Sequence, residues 1–184
     1  MPSYEFEGRR PQVDPAAYVH PEATLIGEVT IGPGCYVGPG ARLRGDFGAI
    51  EVGPGSNVQD NCVIHSRPGA VTRLGAACHV GHGAVVHGAN LGEHVTVGMG
   101  AVVQDGADVG ADCLIAAGAV VLAGSVVPAG QLLAGVPARL VGDLTAEQLA
   151  QLRAGTALYQ ALPDRYRAAC RRLPDPAGQK GADS

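Results

Sequence analysis

Three histidines fall within the stretch His79-Val-Gly-His-Gly-Ala-Val-Val-His-Gly88, as His79, His82 and His87, and a fourth, His65, precedes them. Imidazole changes charge near neutral pH and is the commonest protein ligand for metals. The cluster therefore offers two chemistries: rings that converge on an ion, or a single exposed ring acting as a general base without a metal. Which one applies depends on where each ring points, and so on the elements that carry it.

Those elements are written in a six-residue period. Val13, Val19, Leu25, Ile31, Val37 and Leu43 follow one another in steps of six. The step resumes through Val52, Val58 and Ile64, then Leu74, Val80 and Val86, then Leu91, Val97, Val103, Val109, Ile115, Val121, Val127 and Leu133. An amphipathic helix would repeat at 3.6 residues instead. The expected fold is all-β: a left-handed parallel β-helix of about seven coils, with three hexapeptides closing each triangular turn. The branched residue of each hexapeptide points inward, where its shape suits a stacked strand. Pro33-Gly34, Pro39-Gly40 and Pro54-Gly55 supply corners. The residue two before each branched position also turns inward and must be small. Cys35, Cys62, Cys78 and Cys113 fall there beside Ala41, Ser56, Ala84, Ala101, Ala107, Ala119 and Ser125, which predicts reduced, buried packing residues. Cys170 lies outside the repeat.

The chain has 184 residues, 28 glycines, two phenylalanines and no tryptophan, with a formal net charge of −4. Scattered basic residues give no nucleic-acid footprint. No apolar run is long enough for a membrane span, and Met1 to Gly8 lacks the apolar core of a signal peptide; the expected location is cytoplasmic. The domain reading is a β-helix over 1–142, a C-terminal helical segment over 143–173 and a disordered tail over 174–184. Thr145 to Gln148 form a capping box. Gly155 and Pro163 are expected to divide the C-terminal segment into two or three helical pieces, reaching about Arg172.

The period breaks three times: by three added residues after Leu43, four after Ile64, and one removed after Val86. Counting faces round the prism puts all three breaks on the same face in consecutive coils. Irregularity stacked at one corner of a regular solenoid marks a place to look for function. The residues directly after the period on that face are Arg44, His65, His87 and Gln104. His65 and His87 thus stack on neighbouring strands, close enough for two imidazoles to converge on one ion. His82 leaves a different face, above Asp60, so a third ligand could come from His82 of an adjacent prism. Three prisms round a threefold axis would make three equivalent sites. Three imidazoles and one open position are the pattern of catalytic zinc. His79 and His94, near corners, and His20 are expected to be plain surface residues.

At these residues the sequence resembles the γ-class carbonic anhydrase family. The matching motifs are RGDFG (Arg44–Gly48), SNVQDNCVIH (Ser56–His65) and GHGAVVHG (Gly81–Gly88), within a likeness that spans about residues 1 to 172. The resemblance implies a homotrimer with zinc, or Co2+ or Fe2+, held by His65 and His87 of one chain and His82 of the next. It implies that Arg44 pairs with Asp46 or Asp60 at the trimer interface, that Gln59 orients the water on the metal, and that Asn57 belongs to the same polar shell. YEFEG (Tyr4–Gly8), GPGCYVGPGA (Gly32–Ala41) and GTALYQ (Gly155–Gln160) look most like the PaaY/CaiE branch. That branch is associated with hydrolysis of a ring-containing CoA thioester formed in aerobic phenylacetate degradation. It also implies that Tyr159 overhangs the site. Phe47, Arg67 and Arg73, in the two inserted segments, are candidate substrate contacts. The family archetype carries a glutamate after the motif aspartate and another in the loop after the first histidine. Here Phe47 follows Asp46, and Ser66 to Ala77 hold no acid. The carboxylates that export protons during CO2 hydration are missing, which weighs toward the thioester. Three functions are carried forward: a zinc-dependent thioesterase, a γ-type carbonic anhydrase, and a catalytically silent metal-binding trimeric scaffold. A metal-free acyltransferase is a lesser fourth.

Overall fold

A computed structural model describes residues 3–174. Apart from Pro174, the expected disordered tail lies outside these residues. The chain winds as a parallel β-solenoid of about seven turns, and every inward branched residue stands on its counterpart one coil away. On the first face Val13 pairs with Ile31, Ile31 with Val52, Val52 with Leu74, Leu74 with Leu91, and so to Val109 and Val127. The second face stacks Val19, Val37, Val58, Val80, Val97, Ile115 and Leu133. The third stacks Leu25, Leu43, Ile64, Val86, Val103 and Val121. These side chains form one continuous core, and only Val13 and Val19, in the first coil, are partly exposed.

The small inward positions behave as their size requires. Cys35, Cys62, Cys78 and Cys113 are buried free thiols, whereas Cys170 is exposed. Each buried thiol donates a weak hydrogen bond to a carbonyl of the next coil, as Cys62 Sγ does to Gly81 O at 3.1 Å. Burial pushes the Cys62 thiol up to about 11 and the Cys78 thiol up to about 12, which keeps them protonated and inert.

Corners turn through the left-handed region. At the corner after the first face, Gly34, Gly55, Ala77, His94 and Asp112 all have φ between +54° and +66°. His94 is therefore a corner residue, as its spacing predicts. At Gly53 the constraint is contact rather than φ: an added Cβ would sit 2.6 Å from the carbonyl carbon of Gly75 in the next coil.

After the last coil the chain reverses, and Arg139–Asp143 runs antiparallel to Gln131–Ala134. This hairpin pairs the open edge of the solenoid, a way of blunting an exposed strand. Helix α1 (Ala146–Gln160) then starts as expected: Thr145 and Gln148 make both hydrogen bonds of the capping box. Two expectations about the helices need correction. Gly155 does not break α1, which runs through it; the break falls at Ala161. Helix α2 (Leu162–Ala169) begins there and ends short of Arg172. The physical reason is that Pro163 has no N–H to give and is tolerated in the first turn of a new helix. A lone glycine costs only about 1 kcal/mol and can be carried. The two helices pack on the second face through an aromatic stack. Tyr36 lies between Tyr18 (6.0 Å between centroids), Tyr159 (5.9 Å) and Tyr166 (5.3 Å). Arg167 adds two hydrogen bonds, to the carbonyls of Pro15 and Ala17.

Candidate functional site: two histidine clusters on different faces

The period breaks where the arithmetic puts it. His87 pairs with His65, and Arg44 pairs with His65 one coil below, so the three stand in a row on the third face. The extra residues after Ile64 leave as a loop anchored from inside. Thr72, fully buried, donates to the carbonyl of His65 at 2.7 Å and accepts from the N–H of Gly88 at 3.0 Å. One hydroxyl thus ties together the ends of the two strands that carry the rings. Thr72 stands two before Leu74, at a small inward position where the other coils carry alanine, cysteine or serine; this branched hydroxyl was the available signal, and it was missed.

The rings themselves form a chain of contacts. Asp46 Oδ1 lies 2.9 Å from His65 Nε2, and Asp105 Oδ1 lies 2.8 Å from His87 Nδ1. A carboxylate only accepts, so each of these ring nitrogens carries its proton toward the acid. The remaining nitrogens, His65 Nδ1 and His87 Nε2, then face each other as lone pairs, 2.9 Å apart. Two lone pairs at that distance repel unless a positive species is shared between them. Nitrogens bound to one tetrahedral zinc at 2.0–2.1 Å stand about 3.3–3.4 Å apart, so a small opening of the pair admits an ion. Carboxylates holding the far side of ligating imidazoles are the usual outer arrangement of a metal site. The donor set fits zinc. His65 is nearly sealed, with 9% of its side chain exposed, while His87 is 36% exposed.

Asp46 is fixed from both sides. Its second oxygen takes Arg44 Nη1 at 2.6 Å within the same chain, and the Phe47 N–H donates to its first. Partial burial raises the Asp46 carboxyl, but the hydrogen bonds from Arg44, His65 and the Phe47 amide outweigh it and hold the group at about 2. Of the two acids offered to Arg44, the structure brings it to Asp46; Asp60 is engaged elsewhere. Phe47 is half exposed and lays its ring 5.5 Å from that of His65, with the Arg44 guanidinium 5.7 Å from the Phe47 centroid.

The other cluster lies on the second face and its edge. His82 Nδ1 is 3.2 Å from Asp60 Oδ2, so the same logic leaves its Nε2 bare, 3.4 Å from the Tyr159 hydroxyl. Each of the three histidines singled out by spacing thus sets one ring nitrogen against an acid and leaves the other facing away from it. Gln59 and Asn57 are buried on this second face, with Gln59 Nε2 donating to Asn57 Oδ1 at 2.9 Å. Gln59, His82 and Met99 line a cavity of about 260 Å³. Burial raises the Tyr159 phenol above its ordinary value, with a further push from Asp60, so it keeps its proton.

His79 is not the plain surface residue expected. It sits on the strand His79–Val80, paired with Asn57 below and Thr96 above, not at a corner. Its ring contacts Gln59 and Asn57, and Tyr159 meets it edge-on at 5.1 Å. The C-terminal helix, through Tyr159, covers a ring that the six-residue period alone leaves at the surface. His20 is likewise half-buried against Tyr166 and accepts the Glu22 N–H. Asp105 was also missed; it lies one residue beyond Gln104, which stacks above His87 in the next coil.

The candidate substrate contacts divide. Arg67 is exposed on the loop after His65. Arg73 stands on the first face, where Glu51 answers its charge at 2.8 Å, in a cleft shared with Thr30 and Asn90 and apart from both clusters. Among the described residues of one chain, no group of three or more histidines, cysteines and acids is placed to hold an ion, and no helix is long and apolar enough to cross a membrane.

A stacked β-helix whose hexapeptides carry paired imidazoles defines a hexapeptide-repeat protein. Residues 88–123 match the family described as bacterial transferase hexapeptide (six repeats). The carnitine operon protein CaiE of Escherichia coli K12 is 44% identical over 165 residues, 90% of this chain and 84% of that protein. CaiE of Citrobacter koseri is 46% identical over 91% of this chain and 85% of its own. A solved hexapeptide transferase family protein from Anaplasma phagocytophilum superposes with a TM-score of 0.86 at 36% identity, covering 90% of this chain and 98% of that one. The chain belongs to the CaiE family of hexapeptide-repeat proteins.

Proposed function

We propose that the protein is a zinc-dependent hydrolase of CoA thioesters that works as a homotrimer, with each site completed across a subunit boundary. The observation that carries this reading is the pair of imidazole nitrogens facing each other across 2.9 Å, each ring backed by a carboxylate. Its complement, the bare nitrogen of His82, lies on another face of the same chain, where a neighbouring copy would use it.

When bound, zinc supplies Lewis acidity and a nucleophile at neutral pH. The chain's own groups do the rest. Asp46, Asp105 and Asp60 hold protons on the far nitrogens of His65, His87 and His82. Gln59 accepts a hydrogen bond from the attacking water and aims it. Hydrolysis forms a C–O bond at the acyl carbon and breaks the C–S bond, and the departing sulfur needs a proton. The Tyr159 hydroxyl, 3.4 Å from His82 Nε2, is the donor on this side of the site, and the proton lost by the attacking water restores it. Phe47 presents an apolar ring beside His65, a surface suited to a ring-containing acyl group such as the one expected from phenylacetate breakdown. Arg67 is free to meet CoA phosphates.

Zinc-loaded protein is expected to hydrolyse benzoyl-CoA or phenylacetyl-CoA, and His87→Ala is expected to lose both zinc and activity. Stopped-flow CO2 hydration well above background, with no thioester hydrolysis, would replace this reading with a carbonic anhydrase. CoA binding untouched by chelators would point instead to metal-free acyl transfer. Tight trimers inactive in every assay would leave a scaffold.

A further inference from the structure

His79 occupies a position that the chemistry above does not use. Its Nε2 lies 2.7 Å from Gln59 Nε2, and its Nδ1 lies 3.3 Å from Asn57 Nδ2. A neutral imidazole has one N–H and one lone pair. Of the two amide nitrogens that face the ring, only one can be donating to it. The shorter contact, at 2.7 Å, takes the lone pair, and the N–H on Nδ1 then faces the Asn57 amide nitrogen at 3.3 Å with no hydrogen bond between them. Gln59 Nε2 then spends both of its hydrogens, one on His79 Nε2 and one on Asn57 Oδ1 at 2.9 Å.

This leaves Gln59 Oε1 as the free end of the carboxamide. It accepts no hydrogen bond from the described residues, yet no buried side-chain polar atom lacks a partner. The oxygen therefore keeps some exposure, and the cavity that Gln59 lines with His79 and His82 is the open space beside it. A carboxamide turned over would show that cavity an NH2 donor instead. An acceptor orients an attacking water through its O–H; a donor would compete for the same lone pairs that must attack.

We propose that His79 is a positioning residue: held as the Nδ1–H tautomer under Tyr159, it uses the lone pair on Nε2 to lock the Gln59 carboxamide with its oxygen toward the reacting water. The assignment deepens the hydrolase reading and rests on it for its kinetic part only. Burial, with the neighbouring His82, lowers the His79 pKa to about 4, consistent with a ring that stays neutral.

Three variants separate the lock from mere packing. His79→Leu keeps bulk and removes both nitrogens. His79→Gln returns a polar atom near the Nε2 position, whereas His79→Asn returns one only near Nδ1. In zinc-loaded protein hydrolysing benzoyl-CoA, His79→Leu and His79→Asn are expected to lower kcat about 10–100-fold with little change in KM or zinc content. His79→Gln should regain most of that loss. Equal rates in all three at equal zinc content would overturn the proposal. A second measurement does not need turnover. In nitrogen-15 spectra, the wild-type ring should show a pyridine-type Nε2 and a pyrrole-type Nδ1. The Gln59 side-chain amide should be slow to exchange, and that protection should vanish in His79→Leu and return in His79→Gln. A pyrrole-type Nε2, or amide protection unchanged in His79→Leu, would also overturn it. If wild-type protein hydrolyses no thioester while the spectra follow this pattern, the hydrolase reading fails and the lock stands.

Discussion

The coils between Leu43 and Leu91 and those between Leu91 and Leu133 are built from the same hexapeptides, and they differ in one respect. The upper coils keep strictly to six residues and hold few polar contacts beyond caps such as Gln104 to the Ala123 N–H. The lower coils depart from six at three places on one face and contain nearly all the buried or half-buried polar side chains that touch one another. Core packing does not separate them, since Ile64 and Ile115 are both fully buried. Departures from the period thus occur outside a core that continues unbroken. The added residues leave as a bulge around Asp46–Gly48 within the strand Arg42–Val52 and as the loop after His65, and the strands themselves carry the rings.

Removing the same atoms from both regions sharpens that contrast most. Ile64→Ala and Ile115→Ala are each expected to cost about 2–5 kcal/mol of stability, read by denaturant unfolding. Only Ile64→Ala, next to His65, should also weaken zinc binding. A smaller effect is expected from the acids. Asp105→Asn should weaken zinc binding about 10–100-fold, because the outer partner of a ligating ring is lost. Asp108→Asn, which loosens the Asn90 contact on the first face, should leave zinc titration unchanged. Acid provides a third contrast. His79 has an ordinary value of 6.5 and a folded one of about 4. Between those values the unfolded chain takes up a proton that the folded chain refuses. Stability of chelator-treated protein should therefore fall as pH drops from 6.5 toward 4, by up to about 1.4 kcal/mol per unit. The same titration of His79→Gln should be flatter over that range. The least effect lies in the C-terminal helices, where Thr145→Ala should cost about 1 kcal/mol with zinc binding intact.

The solenoid was legible because one inward side chain per six residues must be branched and apolar, and stacking leaves no freedom in that step. The alignment of His65 and His87 followed from the same count, since an insertion of four residues shifts a strand along the chain without moving it off its face. The partners of those rings were less legible. Asp105 sits in the regular coils, where no break draws attention, and its role depends on which way the His87 ring turns. His79 was misplaced because its setting is made by Tyr159 and the helices, more than 70 residues away in sequence, and no period reports on them. The break at Ala161 rather than Gly155 depended on how proline and glycine compete once a helix is packed.

The claim that each chain carries two incomplete halves of one site is tested most directly by mixing. His82→Ala and His87→Ala chains, each expected to bind no zinc at the site, are unfolded together in equal amounts and refolded. If a site takes its ring pair from one chain and His82 from the next, random assembly restores about a quarter of the sites, visible as bound zinc and as recovered thioester hydrolysis. A mixture that binds no more zinc than the separate variants, or a His82→Ala protein that holds a full complement alone, would contradict the account.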